Sequence, residues 1–140
     1  MQQLLMIVDD DEDDIDLFCE AVNEINKAHE KPVASCAIAY GAEDALELLK
    51  HIEQPGCIFL DLGIPGISGR QFLMRLKNDP RFSEIPIIIY TTLKQTNEIK
   101  RLLRPGSVYY LAKPWSFGEL KKNIIEAVKG KYSRVYQSTT

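Results

Sequence analysis

Six consecutive acids, Asp9 to Asp14, follow directly on the apolar run Leu4–Val8. Three more polar points recur after later apolar runs: Asp61 after Cys57–Leu60, Thr91 and Thr92 after Pro86–Tyr90, and Lys113 after a run at about 107–112. Crowded carboxylates cost free energy unless a positive charge sits among them, and oxygen-only ligands suit a hard cation such as Mg²⁺. Asp9, Asp10 and Asp61 are the metal-ligand set this reasoning selects. With charge neutralised, a carboxylate can attack phosphorus and form an acyl phosphate. A transferring phosphoryl group then needs positive charge and donors around its oxygens. Lys113 offers an ammonium and Thr91 a hydroxyl. Asp61 stands alone at its strand end, between the acid pair and the Thr/Lys side, and is therefore the predicted nucleophile.

These residues can meet only if the chain brings distant strand ends together, and its periodicity predicts that it does. Ile15, Phe18, Val22 and Ile25 recur at three- and four-residue spacing, which predicts a helix over about 13–29. Lys31-Pro32 breaks it, and Val33–Ala39 reads as a second strand. Ala45, Leu49 and Ile52 mark a second helix that Pro55-Gly56 ends, and Cys57–Leu60 is the third strand. Pro65, Gly66 and Gly69 form a loop before a third helix with Phe72, Leu73 and Leu76, ending near Asp79-Pro80. Pro86–Tyr90 is a central-strand candidate, its proline at the entrance where no ladder donor is lost. A helix with Ile99, Leu102 and Leu103, a strand at about 107–112 and a helix with Phe117, Leu120, Ile124 and Val128 complete the pattern. Strand–helix alternation predicts an α/β, doubly wound, five-stranded parallel sheet with helices on both faces. Ligands bind beyond the carboxyl ends of the strands in such sheets, where Asp9, Asp10, Asp61, Thr91, Thr92 and Lys113 all fall.

Composition narrows the class. A chain of 140 residues holds one domain, predicted over 1–130, with residues 131–140 as a flexible tail lacking apolar period. The 17 bases and 20 acids give a net charge of −3, unevenly spread. Seven acids lie between Asp9 and Asp16, whereas ten bases follow from Lys94 onward against Glu98, Glu119 and Glu126. This is a contrast between a site and a remote face, not the basic stripe of a nucleic-acid binder. Cys19, Cys36 and Cys57 lack metal or disulfide spacing and are expected as buried free thiols in a reducing compartment. With no signal peptide and no membrane-length apolar run, a soluble cytoplasmic protein without membrane or direct nucleic-acid partner is expected.

Asp9-Asp10, the segment Phe59-Leu60-Asp61-Leu62-Gly63-Ile64-Pro65 with Gly69 after it, Tyr90-Thr91-Thr92 and Tyr110-Leu111-Ala112-Lys113-Pro114 together resemble the receiver domain of two-component response regulators. The intervals of 30 residues from Asp61 to Thr91 and 52 to Lys113 fit that pattern, and the resemblance spans about residues 4–129. It implies a flavodoxin-like sheet in the order 2-1-3-4-5. It also implies phosphorylation of Asp61 by a sensor histidine kinase or phosphotransfer protein. Mg²⁺ would be held by Asp9, Asp10, Asp61 and the Gly63 backbone carbonyl. Lys113, before a commonly cis proline bond, would contact the phosphoryl group, and Thr91 and Tyr110 would form the switch pair. The chain would be a phosphoacceptor assisting its own phosphotransfer and dephosphorylation, not a dedicated enzyme. Gly63, Ser68 and Leu93 depart from common family choices at positions governing how water reaches an acyl phosphate. A long first helix resembles the stand-alone regulators that serve phytochrome-type kinases, with no output domain expected to follow.

Plainer readings compete at several positions. Asp11, Glu12, Asp13, Asp14 and Asp16 read as a solvated helix start, where acids are favourable. The run mimics a calcium loop, but Asp14 replaces the required glycine and a strand precedes it. Thr92 reads as a strand-end cap, His29 and His51 as surface groups, and Trp115 as a packing or partner-facing residue. An aspartate-nucleophile phosphatase would need a second acid where Gly63 stands. A flavin site would need a phosphate loop where this chain has carboxylates. A pseudo-receiver adaptor typically lacks the acceptor or the lysine, and both are present. Lys94, Lys100, Arg101, Arg104, Lys121 and Lys122 make the 94–129 face the predicted docking surface for an acidic downstream partner, with homodimerisation as the alternative.

Overall fold

The computed structural model describes residues 2–63, 69–91, 108–114 and 116–132. Its elements are β1 (Gln3–Val8), α1 (Glu12–Lys27), β2 (Ala34–Ala39), α2 (Ala42–Leu49), β3 (Cys57–Leu60), α3 (Gly69–Asn78), β4 (Ile87–Thr91), β5 (Val108–Ala112) and α4 (Phe117–Val128). The strands form one parallel sheet in the order β2-β1-β3-β4-β5. The expected helix with Ile99, Leu102 and Leu103 lies outside the described residues, as does Trp115.

Period-2 alternation divides the core into two layers. Met6 and Val8 of β1 join Ile58, Leu60, Ile87, Ile89 and Tyr110 against α2 and α3. Leu5 and Ile7 join Phe59, Ile88, Tyr90 and Leu111 against α1 and α4. Both faces of the central strands are covered, which is why β1, β3 and β4 read as continuous apolar runs and not as alternating ones. On the α1 side, the Phe18 ring meets Phe59 edge-on at 4.8 Å and Tyr90 at 6.3 Å.

Element ends differ from the sequence reading by one to three residues, for local reasons. α1 begins one residue early because the Asp11 side chain accepts from the Asp13 and Asp14 amides and caps it. It stops at Lys27, where the Asn26 side chain accepts from the Val33 and Ala34 amides and donates to the Ala34 carbonyl. Ile52, assigned by periodicity to α2, lies beyond its end yet still packs on the core. Tyr132, which the sequence analysis assigned to the tail, stacks on Tyr109 with ring centres 5.1 Å apart. Residues 133–140 lie outside the described ones. Of the three thiols only Cys57 is buried; Cys19, flanking the buried stripe of α1, and Cys36, on the edge strand, are half-buried. No described helix is long and apolar enough to cross a membrane.

Candidate functional site

Sheet register places the acids and the lysine. The Asp9 amide donates to the Ala39 carbonyl at 3.1 Å, and the Asp61 amide to Val8 at 3.0 Å. The Lys113 amide donates to Thr91 at 3.0 Å. Each residue is thus the first beyond its strand, still held by one ladder bond. Asp9, Asp61 and Lys113 continue the alternation of Leu5/Ile7, Cys57/Phe59 and Tyr109/Leu111, so all three emerge on the side covered by α1.

The Lys113 ammonium lies 2.7 Å from Asp9 Oδ2, 2.6 Å from Asp14 Oδ2 and 2.9 Å from Asp61 Oδ2. Three carboxylates therefore meet its three donors. The ammonium also sits 5.3 Å from the centre of the Tyr90 ring. The Lys113 side chain is 8% exposed and Asp9 0%, so these are desolvated, short-range interactions. Burial works against the Lys113 charge, but the hydrogen bonds it donates to Asp14, Asp9 and Asp61 outweigh it and hold the group above the ordinary 10.5. Burial pushes the Asp9 carboxyl above its ordinary value, with Lys113 opposing the shift. Asp9 Oδ1 accepts from the Asp11 amide at 3.0 Å, and Asp61 Oδ1 from the Gly63 amide at 3.0 Å. Both oxygens of each residue are thereby engaged.

Carboxylate oxygens of Asp9, Asp10 and Asp61 lie within 4.8 Å of one another, one residue buried, one exposed and one between. The donor set is oxygen-only and anionic, and two of its members, Asp9 and Asp61, share the Lys113 ammonium with Asp14. This chemistry fits a hard divalent cation open to solvent on one side.

Sequence reasoning identified Asp9, Asp10, Asp61 and Lys113, and the structure brings them together. Thr91 closes β4 and is 1% exposed, while Tyr110 is fully buried. Thr91 pairs with Ala112 and Tyr110 with Ile89, so the two are diagonal neighbours on adjacent strands, on the face covered by α2 and α3. Two site residues were missed. Asp14, read as part of a solvated helix start, is in the cluster. The available signal was helix phase: Asp14 stands one turn before Phe18, on the buried stripe that continues through Ala21 and Ile25. Tyr90, whose ring walls the lysine, stood in an apolar run and in the Tyr90-Thr91-Thr92 segment but was given no place in the site. The Lys113–Pro114 bond, commonly cis in the family that the sequence resembles, is trans here. Of the bases named for the 94–129 face, Lys94, Lys100, Arg101 and Arg104 lie outside the described residues, whereas Lys121 and Lys122 are within them. Lys121, within α4, reaches back to Glu24 at 3.9 Å and over the Phe117 ring at 5.3 Å, so it bridges to α1.

A parallel sheet in this order, with acids beyond β1 and β3 meeting a lysine beyond β5, is the architecture of a signalling receiver domain. The chain belongs to the response regulator receiver domain family, whose sequence profile matches residues 5–125. It is 32% identical over 72 residues to the probable methanogenesis regulatory protein FilR2 of Methanothrix harundinacea, a match covering 51% of this chain and 46% of that protein. It is 35% identical over 82 residues to protein PilH of Pseudomonas aeruginosa, covering 59% and 68%. The matches to FilR2, to Rre1 of Synechocystis and to a probable C4-dicarboxylate response regulator of Bacillus subtilis each span less than half of the relative's length. Among solved structures, the phosphorylated cyanobacterial phytochrome response regulator RcpA aligns over 100% of both chains with a TM-score of 0.76 and 20% identity. The bacteriophytochrome response regulator AtBRR covers 100% of this chain and 98% of its own, with a TM-score of 0.72 and 18% identity. At these identities the likeness is one of fold.

Proposed function

We propose that this receiver domain accepts a phosphoryl group on Asp61 from a histidine kinase or phosphotransfer protein and passes the signal on by conformational change. The observation that carries this reading is the placement of Asp61 between the Lys113 ammonium at 2.9 Å and the Asp9/Asp10 carboxylates. In the step, an Asp61 carboxylate oxygen attacks the phosphorus of a phosphohistidine. The O–P bond forms as the P–N bond breaks, and the leaving imidazole nitrogen takes up a proton. Phosphorylation moves the negative charge of Asp61 from its carboxylate to the phosphoryl oxygens, so the Lys113 donor that met the carboxylate can turn to a phosphoryl oxygen, with the Thr91 hydroxyl as a second donor. Mg²⁺ bound by Asp9, Asp10, Asp61 and the Gly63 carbonyl would supply the charge neutralisation that lets an anionic donor approach.

Thr91 and Tyr110, one diagonal step apart, are suited to report the change toward the 94–129 face, where a downstream partner or a second copy would dock. On this reading the chain is a phosphoacceptor that assists its own turnover, not a dedicated enzyme. The test is phosphotransfer from candidate histidine kinases to the native protein and to Asp61→Asn. Transfer to the native chain alone is expected; equal labelling of both removes Asp61 from the role.

A further inference from the structure

Asp14 differs from the other carboxylates on Lys113. It belongs to α1, in its first turn, where the helix dipole favours an anion and the Asp11 cap accepts from its amide. Its contact with the ammonium, at 2.6 Å, is the shortest of the three. Asp14 is also absent from the group that could hold a metal. A cation engaging Asp9 and Asp61 would compete with Lys113 for those carboxylates, and phosphorylation replaces the Asp61 carboxylate with an acyl phosphate whose charge sits on the phosphoryl oxygens. Asp14 is the partner that neither event displaces.

We propose that Asp14 is a positioning residue for phosphoryl transfer that holds the Lys113 ammonium toward α1 and restrains phosphorylation of Asp61. The inference rests on Asp61 being the acceptor. Two effects act in the same direction. Asp14 occupies a lysine donor that an incoming phosphoryl oxygen would otherwise recruit. It also adds a negative charge beside a site that must receive an anion. The Asp14 side chain is 29% exposed, so solvent screens this repulsion without abolishing it. A unit charge some 6 Å from the phosphoryl group, at an intermediate effective dielectric, corresponds to about a five- to tenfold effect on anion affinity.

The experiment compares native protein, Asp14→Asn, Asp14→Ala and Asp14→Glu. Calorimetry gives the affinity for beryllofluoride in Mg²⁺, and intact mass gives the rate of Asp61 labelling across acetyl phosphate concentrations. Asp14→Asn and Asp14→Ala are expected to bind beryllofluoride about five- to tenfold more tightly and to reach half-maximal labelling rate at correspondingly less acetyl phosphate. Asp14→Glu, which restores the charge, is expected to return toward native values. A purely structural role would lower the melting temperature without tightening anion binding. Unchanged or weaker beryllofluoride affinity in both neutral variants, with native protein still labelled on Asp61, overturns the inference alone. Failure of the native protein to label on Asp61 overturns the underlying reading as well.

Discussion

Lys113 Nζ and Asp61 Oδ2 stand 2.9 Å apart although 52 residues separate them in the chain. Two adjacent register constraints bring them together: β3 pairs with β4 through Leu60 and Ile89, and β4 with β5 through Thr91 and Ala112. The juxtaposition is therefore built into the sheet and needs no ligand to form it.

Removing that ammonium should leave buried negative charge uncompensated. Lys113→Met is expected to lose about 3 kcal/mol of stability at pH 7, read by urea unfolding. Lys113 is held above its ordinary 10.5, so its contribution is fully present at pH 7 and is lost only as pH rises past that value. Burial shifts Asp9 upward with Lys113 opposing the shift, so removing the ammonium raises Asp9 further and acidification relieves more of its cost in the variant than in native protein. The deficit of Lys113→Met should therefore shrink between pH 7 and pH 5. A deficit constant with pH would mean that lost packing, not charge, dominates.

Metal binding should show as stability. At a hundredfold excess of Mg²⁺ over its Kd, native protein should gain about 2.7 kcal/mol, and chelation should reverse it. Asp10→Ala removes an exposed member of the ligand group and should lose most of the gain while folding normally. An undiminished gain in Asp10→Ala would remove Asp10 from the metal set.

Gly63, after β3, and Gly69, which opens α3, should differ in their tolerance of an added methyl group. A Cβ at Gly69 would meet the Leu62 Cα at 2.8 Å and the Leu62 carbonyl oxygen at 3.2 Å, both backbone atoms beside the site. Gly69→Ala is expected to cost about 1–3 kcal/mol in thermal or urea unfolding. A Cβ at Gly63 would find only Asp61 Oδ1 at 3.5 Å, an ordinary contact, so Gly63→Ala should change stability by less than about 0.5 kcal/mol. Equal effects at the two positions would contradict this packing.

Alkaline stability should report the buried thiol of Cys57, which burial pushes from 9.0 up to about 12. Between those values the unfolded chain releases this proton and the folded chain keeps it, so stability falls as pH rises. In Cys57→Ala the decline between pH 9.5 and 11 should be shallower by up to about 1.4 kcal/mol per pH unit, whatever its absolute stability. Parallel slopes would place the native thiol pKa near its unfolded value.

Much of this was legible in the sequence because central strands of a parallel sheet are apolar on both faces and end in abrupt polar residues. That pattern exposed Asp9, Asp61, Thr91 and Lys113 directly. Helix ends were less legible: α1 stops where the Asn26 side chain engages the start of β2, a tertiary contact that no local spacing encodes. Asp14 was obscured because six adjacent acids look alike in a linear string, and only the phase of α1 turns one of them toward Lys113. Tyr90 was hidden by chemistry, since an aromatic ring ending an apolar strand carries no sign that a cation will sit over it.

The central claim is that Asp61 is the phosphoacceptor. Native protein and Asp61→Asn should be incubated with acetyl phosphate and Mg²⁺, and each examined by intact mass followed by mapping of the modified residue. The account predicts a single added phosphoryl group on native protein, located at Asp61 and absent without Mg²⁺, and none on Asp61→Asn. A phosphoryl group on another aspartate, or equal labelling of Asp61→Asn, would contradict it.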